Sequence, residues 1–372
     1  MLFCRGLVIF ASAMTADKHT PAPESPRRRA LGIYGKILIP VGIGLAVVAW
    51  MFHGEFNAST FSLIHFTPWV VFSLFLAVLA MAGRDFGMAW RFRAITDRKL
   101  SWWKTLKVTL LCEFTSAITP SAVGGSAFGM IYLNREGVAL GKATTLMFTT
   151  IFLDELFLML SIPAVLLFVP YSELLGFSHT AVNVGLQSAF WLVYGGIAAW
   201  TLLLFIGLFI RPQAIRKFLN KLFSFRLLRR WAPKIEALGN DIETTGRDLR
   251  TKSAGWWAEV FAATAFSWIS RYLVVNALFL AFVPEAPQAV ILGRQFVVWV
   301  LLMASPTPGG AGLSEWLFAT YYGDLITAPG MIAVLALFWR ILSYYVYLVI
   351  GAIIVPSWVK KGIDNVRNRN QK

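Results

Sequence analysis

Seven ionisable side chains stand in apolar stretches of this sequence: Glu113, Asp154, Glu155, Arg271, Arg294, Glu315 and Arg340. Charge at bilayer depth is costly unless paired or hydrated, so such groups turn toward one another or toward a polar passage. Asn276 and Gln295 add amides nearby, and Ser126 and Ser314 add hydroxyls. These residue types can pair ions, bind a cationic group, or bind an anion such as phosphate. Glu113 and Glu315 could equally neutralise helix ends, and Arg294 could reach an interface along its own stem. They do not form a catalytic set. His19, His53, His65 and His179 are scattered, and Cys4 and Cys112 carry no disulfide or metal spacing. No HExxH or GxSxG signature occurs. The sequence therefore assigns no catalytic residue, metal site or cofactor. Whether the chain is an enzyme stays open, with non-enzyme favoured.

Two breaks accompany the charges. The first reads Ala117-Ile-Thr-Pro-Ser-Ala-Val-Gly-Gly-Ser126, with Thr119, Pro120, Gly124 and Gly125 at its centre. The second reads Ala304-Ser-Pro-Thr-Pro-Gly-Gly-Ala-Gly312, with Pro306, Pro308, Gly309 and Gly310. Proline ends a helix and glycine admits positive φ. Irregular backbone at membrane depth survives only inside protein or along a wet cavity. A helix that restarts after each Gly-Gly would offer free N–H groups to a phosphate.

The elements that position these residues are membrane helices. Of 372 residues, 57% are hydrophobic and 14% charged, and mean hydropathy is +0.64. A soluble domain carries about a quarter charged residues. The apolar blocks run over 33–52, 68–83, 105–133 (broken), 143–169, 189–210, 256–282, 291–322 (broken) and 330–356. A span needs about 20 residues. The formal charge of +15 sits in the connections, which favours an anionic leaflet over nucleic acid. Connections 53–67, 170–188, 283–290 and 323–329 hold no Lys or Arg. These are expected outside, with both termini cytoplasmic in an inner or plasma membrane.

This sorting predicts an all-α polytopic membrane protein of six spanning helices plus two re-entrant helical hairpins. Block 105–133 has basic flanks at both ends and block 291–322 has them at neither. Each then returns on its own side. The set 68–83, 105–133, 143–169 and the set 256–282, 291–322, 330–356 run oppositely, an inverted repeat typical of transporters. Gly125 to Glu155 and Gly310 to Arg340 are equal steps, so an Asp154/Glu155–Arg340 contact is expected. Residues 1–30 read as a disordered cytoplasmic tail, with Met14 as a possible true start. Residues 31–358 form the membrane domain, including an amphipathic cytoplasmic segment over 211–252. Residues 359–372 form a basic tail.

Four motifs carry a resemblance: Ile118-Thr-Pro-Ser-Ala-Val-Gly-Gly125, Asp154-Glu155, Ser305-Pro-Thr-Pro-Gly-Gly-Ala-Gly-Leu-Ser-Glu315 and Trp339-Arg340. The chain resembles, over about residues 30–360, the flippase-like transmembrane domain of lysylphosphatidylglycerol synthases, including stand-alone members. Arg271-Tyr-Leu-Val-Val-Asn276 and Arg294-Gln295 are similar to a subgroup. The resemblance implies movement of polar-headgroup lipids, such as aminoacylated phosphatidylglycerol, between leaflets. Its partners would be membrane phospholipids. Many members carry Glu and Arg shortly after the first Gly-Gly, where this chain has Ser126-Ala-Phe-Gly129, so the resemblance does not extend to a shared substrate. Lysine transfer by this chain alone is not expected. The alternatives are a membrane-embedded enzyme of lipid or polyprenyl metabolism and an ion-coupled carrier of a small solute.

Overall fold

The computed structural model describes residues 66–119, 123–175, 181–210, 213, 243–307, 309–328, 330–355 and 358. In chain order the helices are α1 (Pro68–Ile95), α2 (Trp102–Ile118), α3 (Val123–Arg135) and α4 (Leu140–Leu166). There follow α5 (Ala181–Phe205), α6 (Ala254–Phe282), α7 (Gln288–Met303), α8 (Leu313–Tyr322) and α9 (Met331–Arg340). Helix α5 runs on through a π turn, Ile206–Ile210, and α9 continues through another, Ile341–Tyr345, to Val355. No strand occurs among the described residues. Five of these helices, α1, α4, α5, α6 and extended α9, are long and apolar enough to cross a membrane. The expected span at 33–52, both tails and Met14 lie outside the described residues, as does most of segment 211–252, where a helical stretch over 243–250 is described.

Local chemistry sets the helix ends. Thr67 accepts a hydrogen bond from the Val70 N–H, with Pro68 at the first helical position. Ser101 and Ser253 do the same for α2 and α6. Helix α1 extends to Ile95, well past residue 83, so Arg84 and Arg91 are buried helix residues rather than loop residues. The reason is that both find half-buried carboxylate partners on other helices.

The exterior is apolar. Phe75 on α1, Leu192 on α5 and Ile353 on extended α9 are 60%, 79% and 71% exposed, a surface water would not tolerate. Inside, threonine hydroxyls of α4 donate to carbonyls one turn back, so few polar groups are left without partners.

Helices α1 and α6 form an antiparallel pair. Trp69 Nε1 donates to the Leu280 carbonyl (2.8 Å), Ser267 Oγ to the Arg84 carbonyl (2.9 Å), and Lys252 Nζ to Asp97 (2.5 Å). Small residues allow this approach: a Cβ added at Gly87 would lie 2.9 Å from the Ser267 backbone. Gly87→Val is therefore expected to destabilise the fold by roughly 1–3 kcal/mol. Thermal unfolding in detergent checks this against Gly185→Val, where a Cβ meets nothing within 4 Å and little change is expected.

The two broken elements lie at opposite ends of this pair. At the first, Lys104 and Lys107 on α2 both lie 3.4 Å from Glu136, just past α3. Asp97 meets Lys142 and Lys252, so the starts of α4 and α6 lie together with the end of α1. At the other end, Arg294 of α7 binds Asp324, just past α8.

Candidate functional site

The two breaks come together at one residue, Tyr344. Its hydroxyl donates to the Ala117 carbonyl (3.2 Å), where α2 ends. Its ring lies against Gly309, and a Cβ at Gly309 would overlap it. Thr119 closes α2 by donating its hydroxyl to the Thr115 carbonyl (2.6 Å). Gly125, buried in α3, packs so closely that a Cβ there would meet Ser116 and the Cys112 carbonyl. Gly309, Gly310 and Gly312 all adopt positive φ, which α-carbon substituents oppose. Pro306 is exposed at this break. Gly124 and Ser126 lie in α3 by their backbone. Pro120 and Pro308 lie outside the described residues.

An ion pair holds the second break. Glu315 Oε2 accepts from the Gly312 N–H and from Ser314 Oγ, both at 2.8 Å. Glu315 therefore caps the start of α8, so that end is not free for a ligand without rearrangement. Glu315 Oε1 lies 2.7 Å from Arg340 Nε. Arg340 Nη1 donates to the Gly309 carbonyl (2.9 Å), and its guanidinium stacks 4.1 Å from the Tyr344 ring centre.

A second cluster adjoins the first break. Glu113 on α2 pairs with Arg84 and, at 3.8 Å, with Arg271. Arg84 also pairs with Asp85 (2.8 Å), which accepts from the Tyr347 hydroxyl. The Arg271 guanidinium lies 4.2 Å from the Trp299 ring centre. Four helices, α1, α2, α6 and extended α9, thereby share one network of two guanidiniums and two carboxylates around buried Arg84.

The expected Asp154/Glu155–Arg340 contact is not formed. Asp154 pairs with Arg91 and accepts from Trp268 Nε1 (2.7 Å), and Glu155 accepts from Thr201 (3.4 Å). Arg340 takes Glu315, at the start of α8 beside the second break. Equal steps along the sequence from each Gly-Gly do not by themselves bring Glu155 and Arg340 into contact. Arg294, Gln295 and Asn276 lie apart from both clusters. Arg294 donates to the Glu173 carbonyl (2.8 Å) and to both Asp324 oxygens (2.5 and 2.8 Å). Gln295 donates to Tyr322 (2.7 Å) and Asn276 to Gln288 (2.9 Å). These three fasten the ends of the second broken element.

Sequence reading missed Arg84, Asp85, Arg91, Tyr344 and Tyr347. The available signal was spacing: Tyr344 follows Arg340 by one helical turn, and Tyr347 by two. It also missed a hollow of about 250 Å³ among Trp90, Arg93, Arg98, Trp102 and Glu259, at the basic end. Among the described residues, no group of three or more His, Cys, Asp or Glu is placed to hold a metal ion.

The chain is similar to a UPF0104 membrane protein of Archaeoglobus fulgidus, 23% identical over 331 residues, which cover 86% of this chain and 95% of the relative. No solved structure matches it. The several apolar helices and this likeness make it a multi-pass membrane protein. Residues 37–351 match the family described as the lysylphosphatidylglycerol synthase TM region, and the chain belongs to that family.

Proposed function

We propose that this protein moves a polar-headgroup phospholipid between leaflets, with the headgroup passing where the two helix breaks meet. The observation that carries the reading is the convergence at Tyr344 of both breaks, beside buried ion pairs. Backbone that leaves helical pairing in a membrane needs a polar environment, and a headgroup needs the same. The family's association with a lipid-modifying synthase also supports a lipid as cargo.

In this reading α2–α3 and α7–α8 are re-entrant hairpins. They enter from opposite sides as halves of an inverted repeat, alongside six spans. Arms of 17, 13, 16 and 10 residues reach about 26, 20, 24 and 15 Å as helix, each short of a 30 Å core. The basic end faces the cytoplasm of a plasma membrane with both termini, held against an anionic leaflet. The acyl tails stay in lipid against the apolar exterior.

Reconstitution into liposomes carrying fluorescent phospholipids tests this. Dithionite-accessible signal should rise from the outer-leaflet share toward the whole pool, with the lipid chemically unchanged. A rate equal to that of protein-free liposomes, for anionic and zwitterionic headgroups alike, would refute it. A chemically altered lipid would instead indicate an enzyme.

A further inference from the structure

The Arg340 side chain is only 6% exposed, and so is that of Glu315. Counted along the span Met331–Val355, Arg340 lies about 14 Å from its start, close to the middle of a 30 Å core. A buried guanidinium normally has every N–H satisfied. Arg340 does not. Nη1 is bonded to the Gly309 carbonyl, but neither Nε nor Nη2 has a hydrogen-bond acceptor in line among the described residues. Nε and Nη2 share one edge of the planar group, the edge that takes a carboxylate or phosphate two atoms at a time. Glu315 offers that edge one oxygen, at 2.7 Å and out of line with the N–H. Its other oxygen is held by Gly312 and Ser314 at the start of α8.

Glu315 cannot give both oxygens to Arg340 without releasing the helix cap. A ligand with two free oxygens on one centre has no such conflict. A phosphate diester is one. The edge is buried near mid-depth and faces a single carboxylate oxygen out of line.

We propose that the Nε–Nη2 edge of Arg340 is a phosphate-binding site at mid-depth, and that Glu315 is the internal anion a phosphate displaces. The identification of that phosphate with a lipid headgroup rests on the translocase reading; the anion site does not. The consequence is a selectivity filter for one negative charge, reset by Glu315 when the ligand leaves.

The test uses the full chain in phosphatidylcholine nanodiscs, titrated with dioctanoyl phosphatidylglycerol, and separately with inorganic phosphate, by native mass spectrometry. Glu315→Gln keeps an oxygen for the cap but removes the competing charge, so it should bind phosphatidylglycerol about tenfold tighter. Arg340→Lys keeps the charge and loses the two-donor edge, and should bind about tenfold weaker or more. Unchanged or weakened binding in Glu315→Gln, or unchanged binding in Arg340→Lys, overturns the proposal. If Arg340→Lys fails to fold, Glu315→Gln decides alone. Competition by inorganic phosphate supports an edge open to any phosphate, and binding confined to the lipid supports the headgroup as its source. If wild-type protein binds with this Arg340 dependence yet exchanges no lipid, the translocase reading fails and the site stands. If it exchanges lipid and the variants bind alike, the site fails and the reading stands.

Discussion

Glu113→Ala is expected to destabilise the protein by about 3–5 kcal/mol, because it takes a carboxylate from buried Arg84 and from half-buried Arg271 at once. Glu113 pairs with Arg84, whose side chain is 4% exposed, and with Arg271. Arg84 retains Asp85, already engaged by the Tyr347 hydroxyl, and the Tyr347 ring at 5.3 Å. Arg271 retains its stacking on Trp299 and Trp268, which neutralises nothing. Unfolding in mixed micelles measures the loss. Glu113→Met with Arg84→Met should lose less than the two single changes added together, since removing both members of a buried pair leaves no orphaned charge. Strict additivity would show that the two side chains do not act as a pair.

The second large effect is at Gly309. Alanine there meets two obstacles at once. Its φ of +57° is a left-handed conformation, which costs a non-glycine residue about 1–2 kcal/mol. Its methyl would also overlap the Tyr344 ring. That ring cannot retreat freely, because its hydroxyl is bonded to the Ala117 carbonyl and its face is covered by Arg340. Gly309→Ala should therefore separate the two breaks, with leaflet exchange falling about tenfold or more for a barrier change of that size. Gly196→Ala, on α5 where a Cβ meets nothing within 4 Å, serves as the matched control and should exchange lipid at the parental rate. Equal rates for Gly309→Ala and the control would show that the junction at Tyr344 is not needed for passage.

The helices were legible because membrane spans announce themselves by length and apolarity. Blocks 143–169, 256–282 and 330–356 coincide within a few residues with α4, α6 and extended α9. Both breaks were legible for the same kind of reason, since proline and glycine act locally: α2 stops at Ile118 and α7 at Met303. The partners of the charges were not legible. Arg84 and Arg91 sit next to Arg93 and Arg98 in sequence and so read as part of a basic loop. Only the packing of α1 on α6, against α2 and α4, gives them Glu113 and Asp154. Equal sequence steps suggested Glu155 and Arg340 as partners, and sequence alone could not say that Glu155 would take Thr201 and Arg340 would take Glu315. Tyr344 was hidden differently. An aromatic residue in an apolar span is unremarkable until its hydroxyl is found on the carbonyl that ends another helix.

The most direct test of headgroup passage through the junction is photo-crosslinking with a phospholipid carrying a diazirine on its headgroup, followed by peptide mapping of the labelled protein. Label is expected at Thr119, Thr307 and Ser343, around the meeting point of the two breaks, with attenuation in Gly309→Ala. Label confined to lipid-facing positions such as Phe168 and Leu192, which are 82% and 79% exposed, and equal in both proteins, would contradict it.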